Sequence, residues 1–359
     1  MTMAFYTTDL IEIQIENSSI CNAACPQCIR EFKEPTKDWI NETYLDISFF
    51  ENIPDEVYQK LKIFYFTGNI GDPCTAPNFL EVCKFVRAKN PDMFIKVSTN
   101  GGMKNPEFWS QLGNILGSKS EVVFAIDGLE DTNHIYRVNV KWDKVMENAK
   151  AFIAAGGQAF WQFIAFKHNQ HQVEQARTLA TEMGFAKFMM KPSHRFALDA
   201  VLGAERFNRS DRKIEPPDDA ALTHTVVIDR TAKNLKELKE QSNTSCVDCH
   251  VKNTYQSVYI DHQGRLWPCC YLAAGLYVTD GLPVHDGWLN IWRNYGDDKI
   301  NLKNYKWHDI LSGGFFNAIQ DSWTKDYSSG RVITCAITCS KFQSRVNIPS
   351  EMNRIIEDA

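Results

Sequence analysis

Short apolar runs alternate with longer amphipathic ones over the first 190 or so residues of the chain. Short stretches rich in Ile, Val, Phe or Tyr, each closed by polar or glycine-containing residues, predict strands at 10–15, 62–67, 94–98, 122–126, 160–166 and 187–191. Between them, helical runs are predicted at 48–60, 77–89, 106–116, 142–155 and 171–183. In the last, Val173, Ala176, Leu179 and Ala180 share a face, and Gly184 supplies a stop. Six such repeats imply a parallel sheet with helices outside it. A closed eight-fold barrel usually takes about 250 residues. The expected fold is therefore α/β, an open, partial (β/α)6 TIM-like barrel with its chemistry at the C-terminal strand ends.

This rhythm stops near residue 195. Residues 196–235 are polar and carry a double proline, which reads as a linker or lid. Residues 236–359 are Trp- and Gly-rich and irregular, with one strand–turn–strand signature, SVYIDHQGRLWPCC. The expected division is a barrel at 1–195, the linker or lid at 196–235, and a small metal-organised domain at 236–359.

Composition narrows the classes. Thirty-nine basic and 44 acidic residues give a net charge of -5 without long blocks, which argues against a protein that coats long nucleic acid. No apolar run approaches the roughly 18 residues of a membrane span. The N-terminal stretch has no basic region and carries Asp9, Glu12 and Glu16, unlike a signal peptide. Eleven cysteines stand out. Cys21, Cys25 and Cys28 form a front group; Cys74 and Cys83 are isolated; Cys246, Cys249, Cys269, Cys270, Cys335 and Cys339 follow residue 245. Core cysteines would be scattered, so the clustering points to metal and to a reducing, cytoplasmic setting.

The first strand runs into Cys21-Asn-Ala-Ala-Cys25-Pro-Gln-Cys28. Three thiolates so spaced can each meet a different iron of a cubane and leave the fourth iron open. Zinc competes, but a structural zinc site closes with four ligands, and no nearby Cys or His supplies the fourth. At this point the chain resembles the radical SAM superfamily over roughly residues 9–195. FYFTGNIGDP (64–73) is similar to that family's glycine-rich "GGEP" stretch, VSTNG (97–101) to its "TNG", and FAIDG (124–128) with HIYR (134–137) to its segment after the fourth strand.

The resemblance implies a [4Fe–4S] cluster on Cys21, Cys25 and Cys28 that binds S-adenosylmethionine. It also implies cofactor contacts from Gly68 or Gly71, Asp72, Ser98, Thr99, Asn100, Asp127 and Arg137. A residue without Cβ permits close backbone approach to the cofactor amine, Asp72 can accept from its ammonium, and Arg137 can pair with its carboxylate. Two departures stand out. Gln27 replaces the aromatic residue that usually lies by the adenine, leaving that role to backbone or apolar groups such as Ile29. The "GGEP" stretch has two extra residues and Asp for Glu.

Cys249, fourteen residues, Gly264, four residues and Cys269 fit the opening of SPASM and Twitch auxiliary-cluster domains. The expectation is one auxiliary [4Fe–4S] cluster, Twitch-like, on Cys249, Cys269, Cys335 and Cys339, with Cys246 in reserve and Cys270 packed. The zinc alternative for this tail is a knuckle half at Cys246 and Cys249. Cys74 is a speculative catalytic hydrogen donor or, more simply, a buried small residue; Cys83 is core. Lys191, His194 and Arg195 follow the sixth strand and would suit an anionic group or a solvated loop.

The implied activity is that of a radical SAM oxidoreductase or modifying enzyme. It would take electrons from a donor such as flavodoxin or ferredoxin and act on an unidentified small molecule, nucleoside or peptide. One alternative is a peptide epimerase or cross-linking enzyme with a leader-binding partner, since the barrel begins by residue 10. Another is a non-catalytic iron–sulfur binding or maturation protein.

Overall fold

The computed structural model describes residues 5–6, 9–31, 40–193, 195–196, 212–219, 221–222, 235–276, 286–296 and 298–340. Six strands lie in chain order across one sheet: β1 (Glu12–Ile15), β2 (Ile63–Phe66), β3 (Phe94–Thr99), β4 (Ser120–Ala125), β5 (Ala159–Ala165) and β6 (Lys187–Pro192). Each is parallel to its neighbour. Parallel strands covered on both faces read as near-continuous apolar runs, as IFYF in β2 does. The fold is the expected open α/β barrel of six βα units, and the strand C-termini gather their loops along one rim.

The helices follow the amphipathic rule. In the helix Phe79–Lys89 the buried positions are Phe79, Val82, Cys83 and Val86, one stripe at helical spacing. Cys83 is therefore core. Asn105 caps the helix Pro106–Leu116 by accepting from the Phe108 N–H, with proline at the first turn where its missing donor costs nothing. The helix expected at 48–60 is two, Ile47–Glu51 and Asp55–Lys60. Pro54 explains the break: its ring disfavours helical backbone at the preceding residue and lacks the N–H that would continue the ladder.

The tail joins the same sheet. β7 (Ser257–Ile260) pairs in parallel with β1, Glu12 opposite Ser257 through Ile15 opposite Ile260, and β8 (Leu266–Trp267) returns antiparallel to it. The strand order is β6-β5-β4-β3-β2-β1-β7-β8. The turn between β7 and β8 is built on Asp261, fully buried, whose carboxylate accepts from the Gln263 and Arg265 N–H groups, Arg265 Nε at 2.6 Å and Trp267 Nε1 at 2.8 Å. Gly264 takes φ +90°, and a Cβ there would lie 2.7 Å from the Phe49 ring. The tail is more helical than its composition suggests, with Leu235–Thr244, Asp286–Tyr295, Trp307–Ser312, Gly314–Asp321 and Ile333–Thr338 all helical. Most of the 196–235 linker or lid, and His194, lie outside the described residues. No helix among the described residues is long and apolar enough to cross a membrane.

Candidate functional site

Four loops meet at the C-terminal ends of β1 to β4. The first carries Cys21, Cys25 and Cys28, all free thiols, with Cys25 buried and the others half-buried. Its backbone is pinned from several sides: the Cys28 N–H donates to the Cys25 carbonyl at 2.9 Å, the Ala24 N–H to Val138 O at 3.1 Å, and the Asp72 N–H to Ile20 O at 2.8 Å. Arg30 bonds the Ser19 carbonyl and pairs with Glu42 at 2.9 Å. The three thiols are thus presented by a loop that backbone and Arg30 contacts hold from several sides, with the Ala23 N–H also donating to Cys21 Sγ at 3.4 Å.

The second loop follows β2. Its glycines are not alike. A Cβ on Gly71 would sit 2.0 Å from Ser18 O, backbone against backbone, whereas one on Gly68 would meet Ser98 O at 3.2 Å. Asp72 is buried and turned into the protein: its oxygens accept from Cys74 N at 3.0 Å, Thr99 Oγ1 at 2.9 and 3.0 Å, and Asn100 N at 2.7 Å. Burial pushes its carboxyl up, against the pull of those bonds. Asp72 therefore locks the loop after β2 to the loop after β3. Cys74, next in line but one, is buried beside Thr99 and Asp72.

From the third loop, Asn100 Nδ2 donates to Asn22 Oδ1 at 2.9 Å and reaches Cys21 Sγ at 3.8 Å. Ser98 Oγ lies 2.7 Å from Tyr65 OH. From the fourth, Arg137 Nε donates to Asp127 Oδ2 at 2.6 Å while its Nη1 reaches Cys25 Sγ at 3.7 Å. Asp127 is held in turn by the Ile164 N–H at 2.6 Å. Burial pushes the Cys25 thiol up to about 11, with the Arg137 guanidinium pulling down. Burial also raises Cys21 and Cys28. Dry thiols of this kind stay protonated until a metal displaces the proton. Gln27 is 1% exposed; its oxygen accepts from Ser193 Oγ at 2.7 Å, just past β6, while its Nε2 is buried with no hydrogen-bond partner. Of the other residues past β6, the Arg195 N–H reaches Ser193 Oγ at 3.4 Å.

A second group of thiols lies in the tail. Cys249, Cys269, Cys335 and Cys339 line one cavity, walled by Phe5, Tyr255, Leu272, Ile319 and Trp323. The ends of this region are drawn together by a bridge between Val247 and Ser340 and by the Asp248 N–H donating to Cys339 O at 2.6 Å. Cys339 and Cys249 share a hydrogen bond that lowers Cys249 and raises Cys339. Burial pushes Cys335 up to about 12. Cys246 is exposed, and Cys270 does not line the cavity. Among the described residues, no three Cys, His, Asp or Glu side chains converge tightly enough to hold a single metal ion.

Neither a family model nor a curated protein sequence matches the chain. Solved structures do. The structure titled anSMEcpe with bound AdoMet superposes with a TM-score of 0.50 at 13% identity, over 88% of this chain and 84% of that one. The fold is shared. The anSMEcpe structure with bound AdoMet and Cp18Cys peptide gives the same TM-score over 89% and 84%. A looser likeness, TM-score 0.46 at 14% identity, covers 77% of this chain and 65% of Streptococcus suis SuiB, so the chain spans a little under two thirds of that protein.

The motif reading missed Glu16 and Tyr259, which brace the second loop. Glu16 had a signal: a carboxylate ending a strand whose other residues are mostly apolar. Tyr259 had none, because its partner lies 243 residues away.

Proposed function

We propose that the chain is a radical S-adenosylmethionine enzyme. The observation that carries the reading is the convergence of Arg137 on Cys25 and Asn100 on Cys21, from loops whose motifs were matched separately in sequence. Cys21, Cys25 and Cys28 would ligate three irons of a [4Fe–4S] cluster, with the fourth left to the amine and carboxylate of S-adenosylmethionine. Reduced by a donor such as flavodoxin or ferredoxin, that pair supplies a 5'-deoxyadenosyl radical for hydrogen abstraction.

The protein's own residues bind and orient. Arg137, fixed by Asp127, places a permanent cation beside the cysteine loop and the cofactor carboxylate. Gly68 is the glycine that would let backbone approach the cofactor amine, because the space beside Gly71 is taken by the Ser18 and Ser19 backbone. Asp72 acts mainly as the clasp between the loops bearing Gly71 and Asn100; the Thr99 hydroxyl is spent on that clasp, and Ser98 and Asn100 offer polar atoms to the ribose. Gln27 Nε2, with its amide turned by Ser193, is a fixed donor for the adenine edge. This replaces the aromatic contact with a polar one.

In the tail, Cys249, Cys269, Cys335 and Cys339 would hold the auxiliary [4Fe–4S] cluster. Their common apolar cavity supports that set over one including exposed Cys246. Held by these four thiolates, the cluster would supply an electron-transfer site, which suits a net oxidation or bond formation. The substrate is a small molecule, nucleoside or peptide. A peptide-modifying reaction is the second reading, favoured by the peptide bound in one structure of the same fold. The working division is a barrel at 1–195, a linker or lid at 196–235 and the auxiliary region at 236–359, in a reducing cytoplasm.

The test is anaerobic. Reconstituted protein with dithionite and S-adenosylmethionine should release 5'-deoxyadenosine; its absence with clusters intact would leave the non-catalytic iron–sulfur protein as the reading.

A further inference from the structure

Glu16, immediately after β1, is fully buried and plays no part in the chemistry above. Its Oε1 accepts from the N–H groups of Ile70 at 2.8 Å and Gly71 at 2.7 Å. Its Oε2 accepts from Asn69 N at 3.1 Å, Thr67 Oγ1 at 3.1 Å and Tyr259 OH at 3.0 Å. Three consecutive backbone donors converge on one carboxylate, the geometry by which proteins grip anions. Here the anion is the protein's own, and what is gripped is the loop. These residues are the stretch in which the loop exceeds the usual family length. Left ungripped, a longer glycine-containing loop would sample many conformations.

The fifth donor comes from the tail. Tyr259 is on β7, and its register partner across the hairpin is Trp267, two residues before Cys269. Cys269 lines the tail cavity. One phenol thus joins the strand pair carrying a tail cysteine to the carboxylate that shapes the loop beside the front cysteines.

We propose that Glu16 and Tyr259 are positioning residues that couple the tail to the front site: the tail holds the 67–71 loop in its binding shape through Tyr259, and affinity for S-adenosylmethionine depends on that bond. The affinity part rests on the radical S-adenosylmethionine reading; the bracing part does not. Without Tyr259 the carboxylate keeps four donors, all from the 67–71 loop. It loses its one tie to the tail and part of what stabilises a charge in a dry site, so carboxylate and loop are freer to shift together.

The experiment compares anaerobically reconstituted wild type with Tyr259→Phe. It reads two quantities: the S-adenosylmethionine Kd by calorimetry, and amide hydrogen exchange at Asn69, Ile70 and Gly71. Tyr58→Phe is the control, because it also removes one buried phenol bond, to Phe50 O at 2.9 Å, but elsewhere in the barrel. Tyr259→Phe should raise the Kd about tenfold, within the usual span of coupling between sites. It should speed exchange at the three amides by a similar factor, with iron content unchanged. Tyr58→Phe should leave both within about twofold of wild type. Glu16→Gln, if it folds, should match Tyr259→Phe, and the double variant should be no worse than the poorer single. Equal Kd and equal exchange in wild type and Tyr259→Phe would overturn the proposal, as would equal loss in Tyr58→Phe. If wild type binds no S-adenosylmethionine, the functional reading and the affinity claim fail together, and the exchange rates alone decide whether the tail braces the loop.

Discussion

Gly68 and Gly71 stand three residues apart in one loop, and sequence left their roles interchangeable. The structure separates them. At Gly71 a methyl group would press on the Ser18 carbonyl and the Ser19 backbone, neither of which can rotate away; at Gly68 the nearest atoms, the Ser98 and Gly71 carbonyl oxygens at 3.2 and 3.3 Å, need yield by only a few tenths of an ångström. Gly71→Ala should therefore destabilise the protein by about 3 kcal/mol, the upper end for overpacking. Gly68→Ala should cost under about 1 kcal/mol. Denaturant titration of both variants checks this, and equal losses would mean the loop relaxes as a unit. Asp72 shows the same limit of the motif: its residue type was legible, but its inward orientation is set by Thr99 at the end of β3 and Asn100 in the loop after it.

At the level of elements, the hairpin of β7 and β8 was readable from its glycine and alternating apolar positions, and its destination was not. Nothing local specifies that β7 pairs in parallel with β1; the sheet edge left open by β1 does. The turn depends on Asp261, which pairs with the buried Arg265 guanidinium and the Trp267 indole. Asp261→Ala removes the carboxylate paired with the buried Arg265 guanidinium and the acceptor of the Trp267 indole, and should cost about 3 kcal/mol. It should also loosen the tail cavity, since Cys269 follows Trp267 by two residues. Thermal unfolding of the variant, with iron content measured in parallel, reads both; an unchanged Tm would show that the turn is held by β7 alone. The split of the helix expected at 48–60 was legible after the fact, since Pro54 is in plain sight. Amphipathic spacing carried across the proline and concealed the break.

For the whole molecule, the cysteine arithmetic gives a direct count. Reconstituted wild type should hold about eight irons and eight sulfides, and a variant lacking Cys249 and Cys269 about four of each. Four in the wild type would remove the tail cluster. Buried carboxylates add a pH dependence. Burial pushes Glu12 up to about 7, so the folded state holds a proton there that the unfolded chain has released. For such groups stability is full below the unfolded value near 4.5 and is lost as pH rises toward 7. Glu12→Gln removes one contribution. Its stability relative to wild type should shift in its favour by up to about 3 kcal/mol between about pH 5 and pH 8. A pH-independent difference would mean Glu12 is ionised throughout, neutralised by Lys96.

Sequence by itself determined the repeating βα pattern, the open sheet and the cysteine spacing, because strand and helix periodicity and metal-ligand spacing are local properties of the chain. Tertiary structure decided the rest. It brought Arg137 to Cys25 and four tail cysteines to one cavity, and it turned Asp72 inward. It also ran the tail along β1, so that a tyrosine 243 residues distant completes the shell of Glu16. These contacts are fixed by which buried donors and acceptors must find partners once water is excluded, and that condition exists only after the chain has packed.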